Sequence, residues 1–151
     1  IGGFISSKEI MSVFKNNPIL GHITTFGGHP VSCAASLATL EVVQDVLYGT
    51  QENEGKRGLS VNEKGDLIKR LLVHPKIKEI RGRGLMLAVE FESFDVLKPI
   101  IDRAIQNSQS GSGVITDWFL FCDNSMRLAP PLVISEAQIR EACAIILEAI
   151  D

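Results

Sequence analysis

The stretch Ile23-Thr24-Thr25-Phe26-Gly27-Gly28-His29-Pro30 stands directly before a long helical pattern that begins near Val31. It combines two hydroxyls, two adjacent glycines that let a backbone approach a ligand closely, and a proline suited to the first helical turn. Free backbone N–H groups, hydroxyls and the positive end of a helix dipole would converge there, which is the chemistry of a phosphate seat. The same residues also suit an ordinary loop with an N-cap before a helix, and local chemistry alone leaves both readings open.

Working outward, Cys33, Leu37, Leu40, Val43 and Leu47 recur at three- and four-residue steps. They predict one apolar face of a helix about eighteen residues long, ending near Gly49. Upstream, Ile1-Gly2-Gly3-Phe4-Ile5 has the composition of a strand, and Ser6 with Glu9 has the form of a capping box. A short helix through about Phe14 should follow and stop at Asn16-Asn17-Pro18. A strand at the very start predicts that the chain is a piece of a longer protein.

Downstream, residues 50–58 are polar and read as a loop or as the solvated start of a helix, which makes them the candidate domain boundary. An amphipathic helix is predicted over about residues 60–72, before His74-Pro75. Strands over residues 77–80 and 85–91 flank a bend at Arg81-Gly82-Arg83-Gly84, with Leu85, Leu87, Val89 and Phe91 on one face. Arg81 and Arg83 read as structural residues of that hairpin. Val96 to Ile105 predicts a helix, residues 107–113 a flexible run, and Val114-Ile115, Phe119-Leu120-Phe121 and Met126-Arg127-Leu128 short strands. Pro130-Pro131 ends the strand register. Ser135 with Gln138 forms a second capping box, before a terminal helix whose inner face is Ile139, Cys143, Ile146, Leu147 and Ile150. The second half is thus an α/β or α+β layer, a small sheet covered by helices on one side.

Composition excludes several classes. Of 151 residues 45% are hydrophobic and 22% charged, with a net charge of -3, so there is no basic footprint for nucleic acid. Aromatic residues at 6% are too few for base-stacking platforms. Cys33, Cys122 and Cys143 are odd in number and lie in apolar surroundings, as reduced core thiols of a cytosolic protein do. His22, His29 and His74 lack metal-ligand spacing, so no metal site is expected. No apolar run approaches the roughly 20 residues of a membrane span, and the start of the chain does not read as a signal peptide.

Three segments in order carry a resemblance: Thr24-Thr25-Phe26-Gly27-Gly28-His29-Pro30, Ile80-Arg81-Gly82-Arg83-Gly84-Leu85-Met86 and Met126-Arg127-Leu128-Ala129-Pro130-Pro131-Leu132. With their separations and intervening helices, the whole chain resembles the C-terminal part of the class III aminotransferases. These are fold-type I pyridoxal-phosphate enzymes that include acetylornithine and ornithine aminotransferases. The resemblance implies that residues 1–49 are the end of the large cofactor-binding domain plus a connecting helix. Residues 50–151 would be a C-terminal small domain with a short, mostly antiparallel sheet. It also implies a cytoplasmic homodimer acting on an amino acid and a 2-oxo acid.

By the same resemblance Thr25, with Thr24 as helper, binds the phosphate of pyridoxal 5'-phosphate in a neighbouring subunit. Arg127 receives a substrate carboxylate or pairs with an active-site acid, a role suited to its planar fork of donors. His29 departs from the family, where asparagine is usual, and is expected to hold the turn through a ring hydrogen bond. The Schiff-base lysine lies upstream in the family and no lysine here has its glycine-rich setting, so no catalytic residue is assigned and the isolated chain should be inactive. Two other readings remain: a non-catalytic module using the dimerisation surface, and an aminomutase or decarboxylase of the same fold. Without most of a large domain, the helix from Val31 to Leu47 should expose apolar surface and favour self-association.

Overall fold

The computed structural model describes residues 2–17, 19, 21, 23–48, 52–53, 56–106, 111 and 113–151. They fall into two compact units, Ile1–Val42 and Val43–Asp151, each described by itself.

In the first unit, helix α1 (Lys8–Met11) continues as a tighter turn over Ser12–Lys15. Its N-cap is Ser7, whose Oγ accepts from the Ile10 N–H at 3.3 Å. The expected box at Ser6 is therefore corrected by one residue, because Glu9 falls at the second helical position, not the third from which it could reach back. Residues 2–5 form no strand: composition alone does not supply the ladder partner a strand needs, and Phe4 and Ile5 are exposed. Asn17 takes φ 47, a left-handed conformation that asparagine tolerates, and the chain turns there as expected. Pro18 and His22 lie outside the described residues.

Helix α2 (Pro30–Tyr48) begins with proline at its first position, where a missing N–H costs nothing. Gly49, its expected stop, lies outside the described residues. The expected inner face is not buried: Leu37 and Leu40 are 61% and 58% exposed and Cys33 is exposed, while Val46 alone is buried. Helical spacing identifies an apolar side without saying what covers it, and the exposure anticipated for this helix is present. At 19 residues and a mean hydropathy of 1.2, α2 is also long and apolar enough to cross a membrane by length and composition, which corrects the expectation that no run approaches that length. It carries Glu41 and Asp45, each costly at a bilayer centre.

The second unit opens with a two-rung antiparallel pair, β1 (Glu52–Asn53) and β2 (Lys56–Arg57), where a loop or helix start was expected. Helix α3 (Val61–Leu71) follows, with a capping box in which the Ser60 Oγ accepts from the Glu63 N–H and the Glu63 carboxylate accepts from the Ser60 N–H. Next come β3 (Glu79–Arg83) and β4 (Met86–Glu90), α4 (Phe94–Gln106), β5 (Asp117–Phe119), β6 (Cys122–Leu128) and α5 (Glu136–Ile150). The four strands form an antiparallel sheet in the order β3-β4-β6-β5.

The hairpin between β3 and β4 is tighter than expected, since Arg81, Gly82 and Arg83 all pair and the loop is only Gly84-Leu85. Gly84 at φ 56 supplies the positive φ that two-residue hairpin loops favour. Gly65 on α3 faces this turn so closely that a Cβ there would collide with the Gly84 carbonyl. Val114-Ile115 is not a strand, and Phe119-Leu120-Phe121 is one only at Phe119. Leu120 and Phe121 form the turn into β6 and stand 80% and 98% exposed. Apolar content there predicts a strand, whereas the pairing of Phe119 with Cys122 makes the next two residues a tip.

Leu87, Val89, Phe91, Met126 and Leu128 are buried in one core with Leu97, Ile100, Ile101 and Ala104 of α4. From α5, Ile139, Cys143, Ile146 and Ile150 join them, as the spacing predicted. Phe94 stands edge-on to Trp118 at 5.0 Å, tying the start of α4 to β5. The Ser135–Gln138 box caps α5 as expected. Of the run 107–113, only Gly111 and Gly113 are described. The Val114 N–H returns to the Ala104 carbonyl at 2.8 Å, folding the chain back on α4.

Candidate functional site

The loop over residues 24–30 is built by its own backbone. The Gly27 N–H donates to the Thr24 carbonyl at 3.3 Å and the His29 N–H to the Phe26 carbonyl at 3.2 Å. Each glycine has a separate reason to be there. A Cβ at Gly27 would collide with the Thr24 Oγ1, and Gly28 sits at φ 70. The His29 carbonyl accepts from the Cys33 N–H at 2.9 Å, the first bond of α2, so the next N–H groups, on Val31 and Ser32, precede the ladder and face the loop end of the helix. The His29 ring stands edge-on to Phe26 at 6.1 Å, so His29 holds the turn by a ring contact and a main-chain bond in place of the expected ring hydrogen bond. Thr24 and Thr25 are both exposed.

Arg127 lies on β6 in the other unit, with Ala88 opposite it on β4 and Asp117 opposite it on β5. Its backbone is fixed by both ladders and by the Thr116 hydroxyl, which donates to its carbonyl at 2.7 Å. Its side chain is exposed and, among the described residues, makes no hydrogen bond or ion pair. A rigid backbone carrying an unpartnered guanidinium is a ready receptor for a carboxylate. Beside it opens a mainly apolar cleft of about 900 Å³ between residues 113–117, residues 128–131 and the Ile139, Ala142 and Ile146 side of α5.

Arg81 is the opposite case. Its guanidinium pairs with the Glu90 carboxylate, approaches Glu79 at 3.7 Å, and donates to Ser125 Oγ at 3.2 Å and Cys122 Sγ at 3.4 Å. The Glu90 hydrogen bond is the main reason its pKa is raised, with burial opposing it and the charges of Glu90 and Glu79 adding to it. The sequence placed Arg81 as structural but did not find its partners, which lie across two strands. Lys64 was missed altogether. It is buried on α3 with its ammonium donating to the Leu132 carbonyl at 2.7 Å, and burial lowers its pKa. Its spacing from Val61, Leu67 and Ile68 on the inner face was the available signal. Pro130 and Pro131 have no N–H to donate, so carbonyls such as that of Leu132 anchor this segment.

Of the thiols, only Cys143 is a core residue, with its pKa pushed up to about 11 by burial; Cys122 is half-buried and Cys33 exposed. The reading of all three as core thiols is corrected at Cys33, which shares the uncovered side of α2. Among the described residues no three His, Cys, Asp or Glu side chains converge as a metal site would. The structure keeps Thr24 and Thr25 together in one loop, while Arg127 belongs to the second unit.

These features have counterparts among known proteins. The sequence model of a family described as Aminotransferase class-III matches residues 1–150. The chain belongs to that family. It is 36% identical over 149 residues to the acetylornithine aminotransferase of Caldanaerobacter subterraneus subsp. tengcongensis, covering 95% of this chain and 33% of that protein. It is 34% identical over 135 residues to the ornithine aminotransferase of Bacillus subtilis, covering 87% of this chain and 28% of the relative. The chain thus spans about a third of the length of the curated relatives it matches. Among solved structures it is similar to the ornithine aminotransferase of Toxoplasma gondii, a protein with partial occupancy of pyridoxal phosphate at its active site. That match has a TM-score of 0.64 and 29% identity over 94% of this chain and 30% of that one. A transaminase from directed evolution by ancestral reconstruction matches at a TM-score of 0.68 and 26% identity, over 94% and 31%.

Proposed function

We propose that the whole protein is a pyridoxal-phosphate-dependent transaminase that moves an amino group from an ornithine- or acetylornithine-like donor to a 2-oxo acid. The observation that carries this reading is the class-III match over residues 1–150, with acetylornithine and ornithine aminotransferases among its relatives. Residues 1–49 are then the end of the cofactor-binding domain and its connecting helix, and residues 50–151 the small domain. The working form is a cytoplasmic homodimer, with no nucleic-acid or membrane partner.

The loop fits a phosphate. Gly27 leaves no room for a side chain beside the Thr24 hydroxyl, Gly28 needs its positive φ, and the first turn of α2 adds N–H groups and the positive end of its dipole. Thr25, with Thr24, would hold the phosphate there. Pyridoxal phosphate, when bound, supplies a carbonyl that takes up the amino group and a conjugated ring that withdraws electrons from the reacting carbon. Arg127 binds a substrate carboxylate by two parallel N–H donations and so orients the reacting carbon. The cleft beside it offers apolar surface to the rest of the substrate. The Schiff-base lysine belongs to the remainder of the protein, so this chain alone is inactive. Lys64, the buried lysine, is already committed to Leu132.

The test is an amino-transfer screen of the full-length, cofactor-loaded protein with ornithine, N-acetylornithine and 4-aminobutyrate as donors. A new amino acid should form only when a 2-oxo acid is supplied. Rearrangement or carbon dioxide release without a 2-oxo acid would replace this reading with an aminomutase or a decarboxylase.

A further inference from the structure

The inner face of α3 carries one residue that its apolar neighbours do not explain. Val61, Leu67 and Ile68 are buried there, and so is Lys64, the one buried charged residue among the described residues. Burying an ammonium is costly unless it is satisfied, so a leucine or methionine at this position would serve the core better. Among the described residues Lys64 makes no ion pair, and its one hydrogen bond runs to the Leu132 carbonyl at 2.7 Å, 68 residues along the chain. Leu132 lies in a turn that its own segment can hardly hold. The Ile134 N–H closes that turn on the Pro131 carbonyl at 3.0 Å, and Pro130 and Pro131 have no N–H to give. Pro130, Pro131, Val133 and Ile134 of this segment line the cleft beside Arg127, and so does Ile68, one helical turn along α3 from Lys64. Lys64 thus ties together two walls of one cleft.

We propose that Lys64 is a positioning residue: by holding the Leu132 carbonyl it fixes the width of the cleft beside Arg127, and so governs how tightly the amino donor is held there. Resting on the transaminase reading, this adds a residue that touches neither substrate nor cofactor and acts through the turn over residues 131–134. The cost of its buried charge is offset by the wall it sets in place. Once a donor is seated the reacting groups are unaffected, so the contribution of Lys64 falls on KM and not on kcat.

The test is Lys64→Met in the full-length, cofactor-loaded protein, which keeps the bulk of the side chain and removes the donor. With the amino donor that the screen selects among ornithine, N-acetylornithine and 4-aminobutyrate, KM should rise about tenfold, the lower end for one hydrogen bond to a charged group, while kcat and the affinity for pyridoxal phosphate stay within about twofold. Lys64→Arg, which keeps a charged donor, should bring KM back most of the way. Hydrogen exchange reads the same contact without turnover: the Ile134 amide should exchange faster in K64M, and the Ile139 amide, bonded to the Ser135 carbonyl in the first turn of α5, should not change. Should K64M not fold, the unaltered protein decides, because its Ile134 amide should be as well protected as that of Ile139. Exchange there at the rate of an unheld turn overturns the proposal. A folded K64M protein with unchanged KM, or one whose kcat falls as far as its KM rises, overturns it too. Absence of amino transfer by the unaltered protein would overturn the transaminase reading, and hydrogen exchange would still decide whether Lys64 holds the turn.

Discussion

Arg81 and Arg127 show how little a residue's chemistry says about its role until its cross-strand neighbours are known. Both stand on the same face of one sheet, yet Glu90 and Ser125 hold the first while the second is unpartnered among the described residues. The three thiols diverge in the same way. Cys33 should react first with an aromatic disulfide reagent at neutral pH and Cys143 last, only on unfolding, as timed labelling with mass spectrometry would show. Cys143 also makes stability depend on pH. Its thiol ionises near 9.0 when unfolded but near 11 when folded, so above 9 the unfolded state holds fewer protons and is favoured. The unfolding free energy from urea titration should therefore fall between pH 9 and 11, by up to about 1.4 kcal/mol per pH unit from this group. At the start of α5, Ser135→Ala should cost about 1 kcal/mol in the same assay, because it removes the hydroxyl that accepts from the Gln138 N–H.

Elements were legible in the sequence where a period and a cap agreed. Helix α5 carries both an apolar stripe and the Ser135–Gln138 box, and β4 is a short apolar run next to a glycine turn, so each is readable from its own residues. The misses fell where pairing, a property of two segments, decides. Arg81-Gly82-Arg83 extends β3 because Ala88, Leu87 and Met86 lie opposite, and Leu120-Phe121 forms a tip because Phe119 meets Cys122. Contact between elements also explains Gly65, a poor helix former in mid-helix. It lets α3 sit against the Gly84 turn, so Gly65→Ala should destabilise the second unit by about 1–3 kcal/mol despite the better helix propensity of alanine. Denaturant unfolding would register that loss, and an increase in stability would remove this account of the α3 packing.

At the scale of the molecule, the second unit has a closed core, while α2 leaves Val31, Leu37, Leu40 and Val42 about half to three-quarters exposed. This chain expressed alone should self-associate through that helix, with a sedimentation coefficient that rises with concentration, and Leu37→Glu with Leu40→Glu should suppress the rise. The family was legible from three motifs because each is fixed by local backbone needs: the glycines at 27 and 28, the Gly84 turn and the two prolines after Arg127. The partners of those motifs were not, since they lie far along the chain. Cofactor affinity of the full-length protein with Thr25→Ala tests the central claim most directly. Loss of one hydrogen bond to a charged phosphate should raise the Kd for pyridoxal phosphate about tenfold or more, with the fold unchanged by circular dichroism. A folded Thr25→Ala protein that holds the cofactor as tightly as the unaltered one would contradict the assignment of this loop as the phosphate seat.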